Sequence, residues 1–210
     1  SLCWQVGNYV SKDVLIPLDI LFHPIFEEMG LKLKNRIIWK FGHGAHAKKK
    51  FSGRYEVILW YVKSKNYKFN LDDVRIAQKY PSKVSYKGPN KGEFSGNPKG
   101  KNPEDFWEWD LEDSQNNDSV WDIPNVKGNH IEKLDHPCQF PVALVERLVK
   151  ALTDKDDLVL DPFMGTGSAG VASLHNDRKF LGIELDKKYI KLALPRLKKS
   201  QSKKQIYRKD

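Results

Sequence analysis

The chain has 210 residues, 40% of them hydrophobic, and carries a formal charge of +9 from 36 Lys and Arg against 27 Asp and Glu. That length and apolar share bury a real core and suit one α/β domain with an insertion, or two smaller lobes. Two widely separated cysteines, Cys3 and Cys138, exclude a disulfide framework and a zinc spacing. No apolar run approaches the roughly 18 residues of a membrane helix, and no charged-then-apolar leader opens the chain, so a soluble, cytoplasmic protein is expected. The cationic surplus fits a polyanionic partner and equally a solvated basic surface.

In chain order, Leu2-Cys3-Trp4-Gln5-Val6 reads as a buried strand directly after Ser1. Domains rarely start on a buried strand, so a truncated start is expected. Apolar residues from Val14 to Met29 recur at helical spacing, interrupted by Pro17 and Pro24 and ended by Gly30, which predicts a helix. Arg36–Lys40 and Glu56–Val62 are β-rich and predict an antiparallel pair. From Lys63 to about Lys133 the composition turns cationic and turn-rich, as in Lys87-Gly88-Pro89-Asn90-Lys91-Gly92, with Phe94, Phe106, Trp107 and Trp109 interleaved. Little core of its own is expected there. The last third predicts a helix from Pro141 to Leu152, a strand Leu158–Leu160, a glycine turn, a helix to His175, a strand Phe180–Ile183 and a helix from Lys187. That order is a βαβ unit. Pro195 should end or kink the last helix, leaving Lys198–Asp210 as a frayed basic tail.

Asp161-Pro162-Phe163-Met164-Gly165-Thr166-Gly167-Ser168-Ala169-Gly170 follows a strand and opens a helix, so its glycines stand where backbone turns tightly and approaches a ligand. As a bare G-x-G-x-x-G pattern it also fits a dinucleotide, or a turn kept only for helix–strand packing. Asp161 at the strand end would sit more comfortably beside a cationic amino acid moiety, as in S-adenosylmethionine (SAM), than beside a pyrophosphate. Glu184 ends the next strand, where an acid takes ribose hydroxyls of either ligand.

These residues resemble the amino-methyltransferases of restriction–modification systems, in the permuted group whose SAM motif comes last. Val120-Trp121-Asp122-Ile123-Pro124 and His136-Pro137-Cys138-Gln139-Phe140-Pro141 resemble the segment before the SAM loop that packs against the cofactor's methionine end. Phe51–Trp60 is similar to the family strand with an Arg-aromatic-Glu signature, and Asn35–Lys40 to its partner strand. The resemblance implies a Rossmann-like α/β methyltransferase sheet with an inserted target-recognition region and a missing N-terminal part. By role, 1–62 is then part of the core, 63–133 the target-recognition insertion, 134–200 the SAM-binding βαβ part and 201–210 a basic tail. The implied cofactor contacts are Asp161, Pro162, Phe163, Gly165, Thr166, Gly167, Ser168, Glu184, His136 and Gln139.

Family members carry an Asp-Pro-Pro-Tyr or Ser-Pro-Pro-Tyr tetrapeptide that clamps the target amine, and this sequence has no Pro-Pro dipeptide. No catalytic residue is therefore assigned within it. The resemblance implies methyl transfer to adenine N6 in double-stranded DNA, with cytosine N4 as the alternative. It allows a homodimer, and a cognate restriction endonuclease acting in the same system without a stable complex. Two rival expectations stay open: a fragment that binds SAM or DNA without catalysis, and a nicotinamide-dependent oxidoreductase. His43 and His46 have no third ligand nearby, so no metal is expected. Phe106-Trp107-Glu108-Trp109 fits a base-stacking platform and a half-buried strand equally.

Overall fold

The computed structural model of the chain describes residues 1–42, 46–78, 80–108, 126 and 130–207. It forms two compact units, Ser1–Tyr67 with Leu71–Asp122, and Lys68–Asn70 with Ile123–Asp210.

The first unit contains β1 (Leu2–Val6), β2 (Asn8–Ser11), β3 (Val14–Pro17), α1 (Leu18–Glu28), β4 (Lys32–Lys40), β5 (Tyr55–Val62), a 3₁₀ turn (Leu71–Val74) and β6 (Phe106–Glu108). Its sheet has the order β1-β5-β4-β6. β5 lies between two antiparallel neighbours and is buried from Val57 to Val62, which is why it reads as a continuous apolar run rather than an alternation. Val57, Leu59 and Tyr61 form a core with Phe26 of α1. Trp4 meets Phe22 and Phe26 edge-on, with ring centroids 5.2 and 5.4 Å apart. The Tyr61 hydroxyl, on a fully buried residue, lies 2.9 Å from His23 Nδ1. Arg36 holds the buried Asp19 through two donated hydrogen bonds of 2.8 and 2.6 Å.

The helix expected from Val14 begins four residues later. Val14–Pro17 instead pairs antiparallel with Asn8–Ser11 around Lys12 and Asp13, both at positive φ, as a two-residue hairpin turn requires. β-branched Val14 and Ile16 fit that strand, and Pro17 takes the N-cap position. Gly30 ends α1 as expected, with φ 77°. Its N–H donates to Glu27 O and that of Leu31 to Phe26 O, a Schellman closure.

The expected antiparallel pair is β4 and β5. β6 adds to β4 in parallel, with Trp107 opposite Trp39. The Trp107 ring is buried and its indole N–H donates to Glu104 O at 2.8 Å. Of its two open roles Trp107 therefore fills the strand one, while Trp109 lies outside the described residues. Between residues 83 and 95 a small hairpin closes through Ser85 N to Glu93 O and Ser95 N to Lys83 O, both 2.9 Å.

The second unit contains α2 (Val142–Leu152), β7 (Leu158–Asp161), α3 (Ser168–His175), β8 (Lys179–Gly182) and α4 (Lys187–Tyr207). β7 and β8 pair in parallel with Leu160 opposite Leu181, so the βαβ unit is present. Val142, Val149, Val171 and Ala172 form its core, with Val159 and Leu197 packed against them. Leu158, Leu160 and Leu181 are each more than half exposed. Asn70 closes the end of α2, its amide donating to Thr153 O at 2.8 Å.

α4 runs through Pro195 rather than ending there, and Lys198–Tyr207 is helical where a frayed tail is expected. Proline there removes only the bond to the Lys191 carbonyl. Ala193 is fully buried and Leu197 packs on the core, so tertiary packing holds the helix across the break. No described helix is long and apolar enough to cross a membrane.

Gly170 of α3 has a packing reason to be glycine, because a Cβ there would lie 2.5 Å from Leu197 Cδ2 and 2.6 Å from Phe180 Cε1. Gly170→Ala should destabilise the second unit by about 1–3 kcal/mol through overpacking. Urea unfolding followed by circular dichroism checks this, and an unchanged midpoint would refute it.

Candidate cofactor site

The site is built at the carboxyl ends of β7 and β8, where ligands of open α/β sheets bind. β7 ends on Asp161, and the chain turns through Pro162–Gly167 into α3. Gly165 and Gly167 have φ of 53° and 79°, a region that side chains disfavour. At Gly165 a Cβ would also come within 3.1 Å of His136 Nε2. Pro162 and Phe163 are exposed on the turn, whereas Met164 to Gly170 are buried.

Glu184, two residues past β8, faces this turn. Its Oε2 accepts the Gly165 N–H at 2.7 Å and its Oε1 the Asp186 N–H at 2.8 Å. These N–H bonds, that of Asp186 first, hold Glu184 below the usual carboxylate range. The Leu185 N–H adds to this pull, and a carboxylate has room for a further donor beyond these three.

Asp161 is perturbed in the opposite direction. Burial pushes its carboxyl up, the N–H of Phe163 pulls it back, and the negative charge of Glu184 raises it again. Its Oδ1 accepts that N–H at 3.0 Å. Among the described residues no lysine or arginine forms a salt bridge with it. A largely desolvated carboxylate near a second carboxylate is a place that favours a cation. The glycine turn admits a close approach, Asp161 suits an ammonium group, and Glu184 suits hydroxyl donors, so these residues fit SAM.

The His136 ring lies against Gly165 and meets Tyr189 of α4 edge-on at 4.4 Å. Its Nδ1 accepts the Cys138 N–H at 3.2 Å. Burial lowers its pKa and Lys133 lowers it further, while the negative charge of Glu184 raises it, a balance that disfavours the charged imidazolium.

The other expected contacts divide. Gln139 is engaged within its own segment, accepting from Leu134 N at 3.0 Å and donating to Glu132 O at 2.6 Å. Ser168 donates to Phe140 O at 2.9 Å, tying the start of α3 to the 136–141 segment. Thr166 is buried and receives Arg196 at both its carbonyl and its hydroxyl. Val120–Ile123 and Pro124 lie outside the described residues, as does His43, while Arg54 Nη2 lies 3.3 Å from the His46 ring. No cluster able to hold a metal occurs among the described residues.

Three residues of the site were not anticipated: Arg196, Glu132 and Tyr189. The sequence held one usable sign, since Arg196 lies three residues after Ala193 and beside Leu197, on the inward side of α4. Nothing in the sequence marked Glu132.

Residues 1–195 match the sequence model of the N6/N4 methyltransferase family, described as "DNA methylase". The Type II methyltransferase M.BglII of Bacillus subtilis is 46% identical over 194 residues, which is 92% of this chain and 50% of the relative. The DNA adenine methyltransferase YhdJ of Escherichia coli (strain K12) is 35% identical over 79% of this chain and 52% of its own length. The solved M1.HpyAVI–SAM complex shares the fold, with a TM-score of 0.58 and 24% identity over 93% of this chain and 74% of the other. The chain spans about half the length of the curated relatives it matches. It belongs to the N6/N4 DNA methylase family, whose fold is that of the SAM-dependent methyltransferases.

Proposed function

We propose that these residues form the SAM-binding and part of the DNA-binding machinery of a restriction–modification methyltransferase that methylates adenine N6 in duplex DNA. The observation that carries this reading is the turn Asp161–Ser168 with Glu184 bonded to its Gly165 N–H. Adenine is favoured over cytosine N4 because the relative named a DNA adenine methyltransferase matches 79% of the chain at 35% identity.

When bound, SAM supplies an electrophilic methyl group on a sulfonium. Asp161 would hold the cationic amino acid moiety, Glu184 the ribose hydroxyls, and the backbone from Phe163 to Gly167 the adenosine. His136, wedged against Gly165, would close the pocket on the methionine side. An exocyclic amine is a weak nucleophile because its lone pair is delocalised into the ring. Its activation needs acceptors of the Asp-Pro-Pro-Tyr kind, and these 210 residues have no Pro-Pro dipeptide. A base inside a duplex must also be flipped out to react.

We assign 63–133 to target recognition. In its described part Tyr86 and Phe94 are exposed beside Lys83, Lys87 and Lys91 on the hairpin, a mixture suited to holding phosphates and stacking on bases. A homodimer and a cognate endonuclease in the same system remain part of this proposal.

Calorimetry should show SAM binding and no NAD binding; NAD alone would overturn the reading. Glu184→Ala should weaken SAM by roughly 1–3 kcal/mol, and Gly165→Val should abolish binding through strain and collision with His136.

Asp161 gives a pH test with a definite sign. Its folded pKa is raised, so its ionised form opposes folding above that pKa, and the penalty disappears below the unfolded value. Asp161→Asn should therefore keep or raise the ligand-free melting temperature at pH 7 while weakening SAM about tenfold or more. Wild-type affinity should fall as pH drops through the raised pKa, and the variant should lack that inflection. A parallel pH dependence in both proteins would exclude Asp161 as its source.

With labelled SAM and duplex DNA, the 210 residues alone should transfer no methyl group; turnover would disprove that. Supplying a catalytic segment in trans should give N6-methyladenine, and N4-methylcytosine as the product would reverse the base assignment. Lys87→Glu with Lys91→Glu should reduce the slope of log affinity against log salt by about one for each phosphate no longer neutralised.

A further inference from the structure

The methionine side of the pocket and its glycine turn come from separate stretches of chain, 130–141 and 161–168, and one side chain reaches both. Arg196 of α4 donates from Nη1 to Thr166 O at 2.7 Å, with Thr166 Oγ1 at 3.2 Å and Ser168 Oγ at 3.4 Å. From Nη2 it reaches Glu132 Oε2 at 3.4 Å. Both side chains are largely shielded from water. The same Glu132 oxygen accepts the Val142 N–H at 3.1 Å, and the Glu132 carbonyl accepts the Gln139 amide. The guanidinium therefore joins the turn that starts α3 to the loop that carries His136 and starts α2. Arg196 lies one residue beyond the stretch matched by the family, 1–195.

We propose that Arg196 is a positioning residue for the cofactor pocket, clasping the glycine turn and the 130–141 loop so that His136 and Gly165 hold one spacing. This rests on the cofactor reading above. The chemistry calls for a guanidinium. Its planar fork places donors toward a carbonyl and a carboxylate at once, and its charge survives burial, whereas an ammonium is a single point charge with a more variable pKa. Burial lowers the Arg196 pKa and Glu132 raises it again, as expected of a cation kept in place by its counter-charge. The guanidinium spends these donors on the protein's own atoms, so its influence on binding must pass through the geometry of the two segments.

The test compares wild type with Arg196→Met, Arg196→Lys and Arg196→Ala, using SAM calorimetry, ligand-free melting and amide hydrogen exchange. Arg196→Met should weaken SAM about tenfold or more, and Arg196→Lys by less. Exchange should accelerate together at 134–139 and 165–168 while the strand amides of β7 and β8 stay protected. Millimolar methylguanidinium should restore SAM affinity to Arg196→Ala, an effect that mere loss of stability would not show. SAM affinity within twofold of wild type in Arg196→Met, or no rescue of Arg196→Ala, overturns the proposal. If Arg196→Met does not fold, Arg196→Lys decides: affinity equal to wild type with unchanged exchange overturns it. If wild type binds no SAM, the cofactor reading fails by itself, and the clasp stands or falls on whether the two segments lose protection together.

Discussion

The second unit depends on one carboxylate pointing back across a parallel strand pair. Glu184 leaves the end of β8 and accepts the N–H of Gly165 in the turn that leaves β7. The turn is left-handed at two positions, and glycine makes that conformation accessible without making it preferred over others. The charge-assisted bond from Glu184 selects it. It also fixes how α3 departs, because Gly167 caps that helix. Around that cap, Met164 to Gly170 are buried and Leu197 and Phe180 approach Gly170 closely.

That fastening sets up an electrostatic imbalance. Glu184 is stabilised as an anion by backbone donors, while Asp161 is withdrawn from water nearby and made less acidic. The positively charged ligand proposed above would relieve that imbalance on binding. The polar side chains around them are meanwhile turned inward, Gln139 to Leu134 and Glu132, and Ser168 to Phe140. Their polar atoms are engaged with the protein's own backbone.

Much of this was legible in the residues alone. The βαβ order, the glycine turn and the acids at both strand ends follow from local patterns, and local patterns survive folding when neighbours agree with them. Failures occurred where tertiary context decided. Val14 and Ile16 fall at helical spacing with Leu18 and Ile20 but are β-branched, and the Lys12-Asp13 turn drew them into a hairpin. Pro195 should break an isolated helix, yet burial of Ala193 beside it carried α4 onward. Trp107 gave no local sign of whether it faced a base or a sheet, since the deciding neighbour, β4, lies about seventy residues earlier. The roles of Arg196 and Glu132 were illegible for the same reason, because their meeting joins segments 64 residues apart.

The bare side of β7 and β8 has a practical meaning. Leu158, Leu160, Leu181 and Ile183 all show more than half their surface to solvent, on or just beyond two short strands that pair, among the described residues, only with each other. A greasy ribbon with two open edges is the kind of template on which like molecules stack. The +9 charge of the chain opposes such stacking, most strongly at low ionic strength and least in high salt.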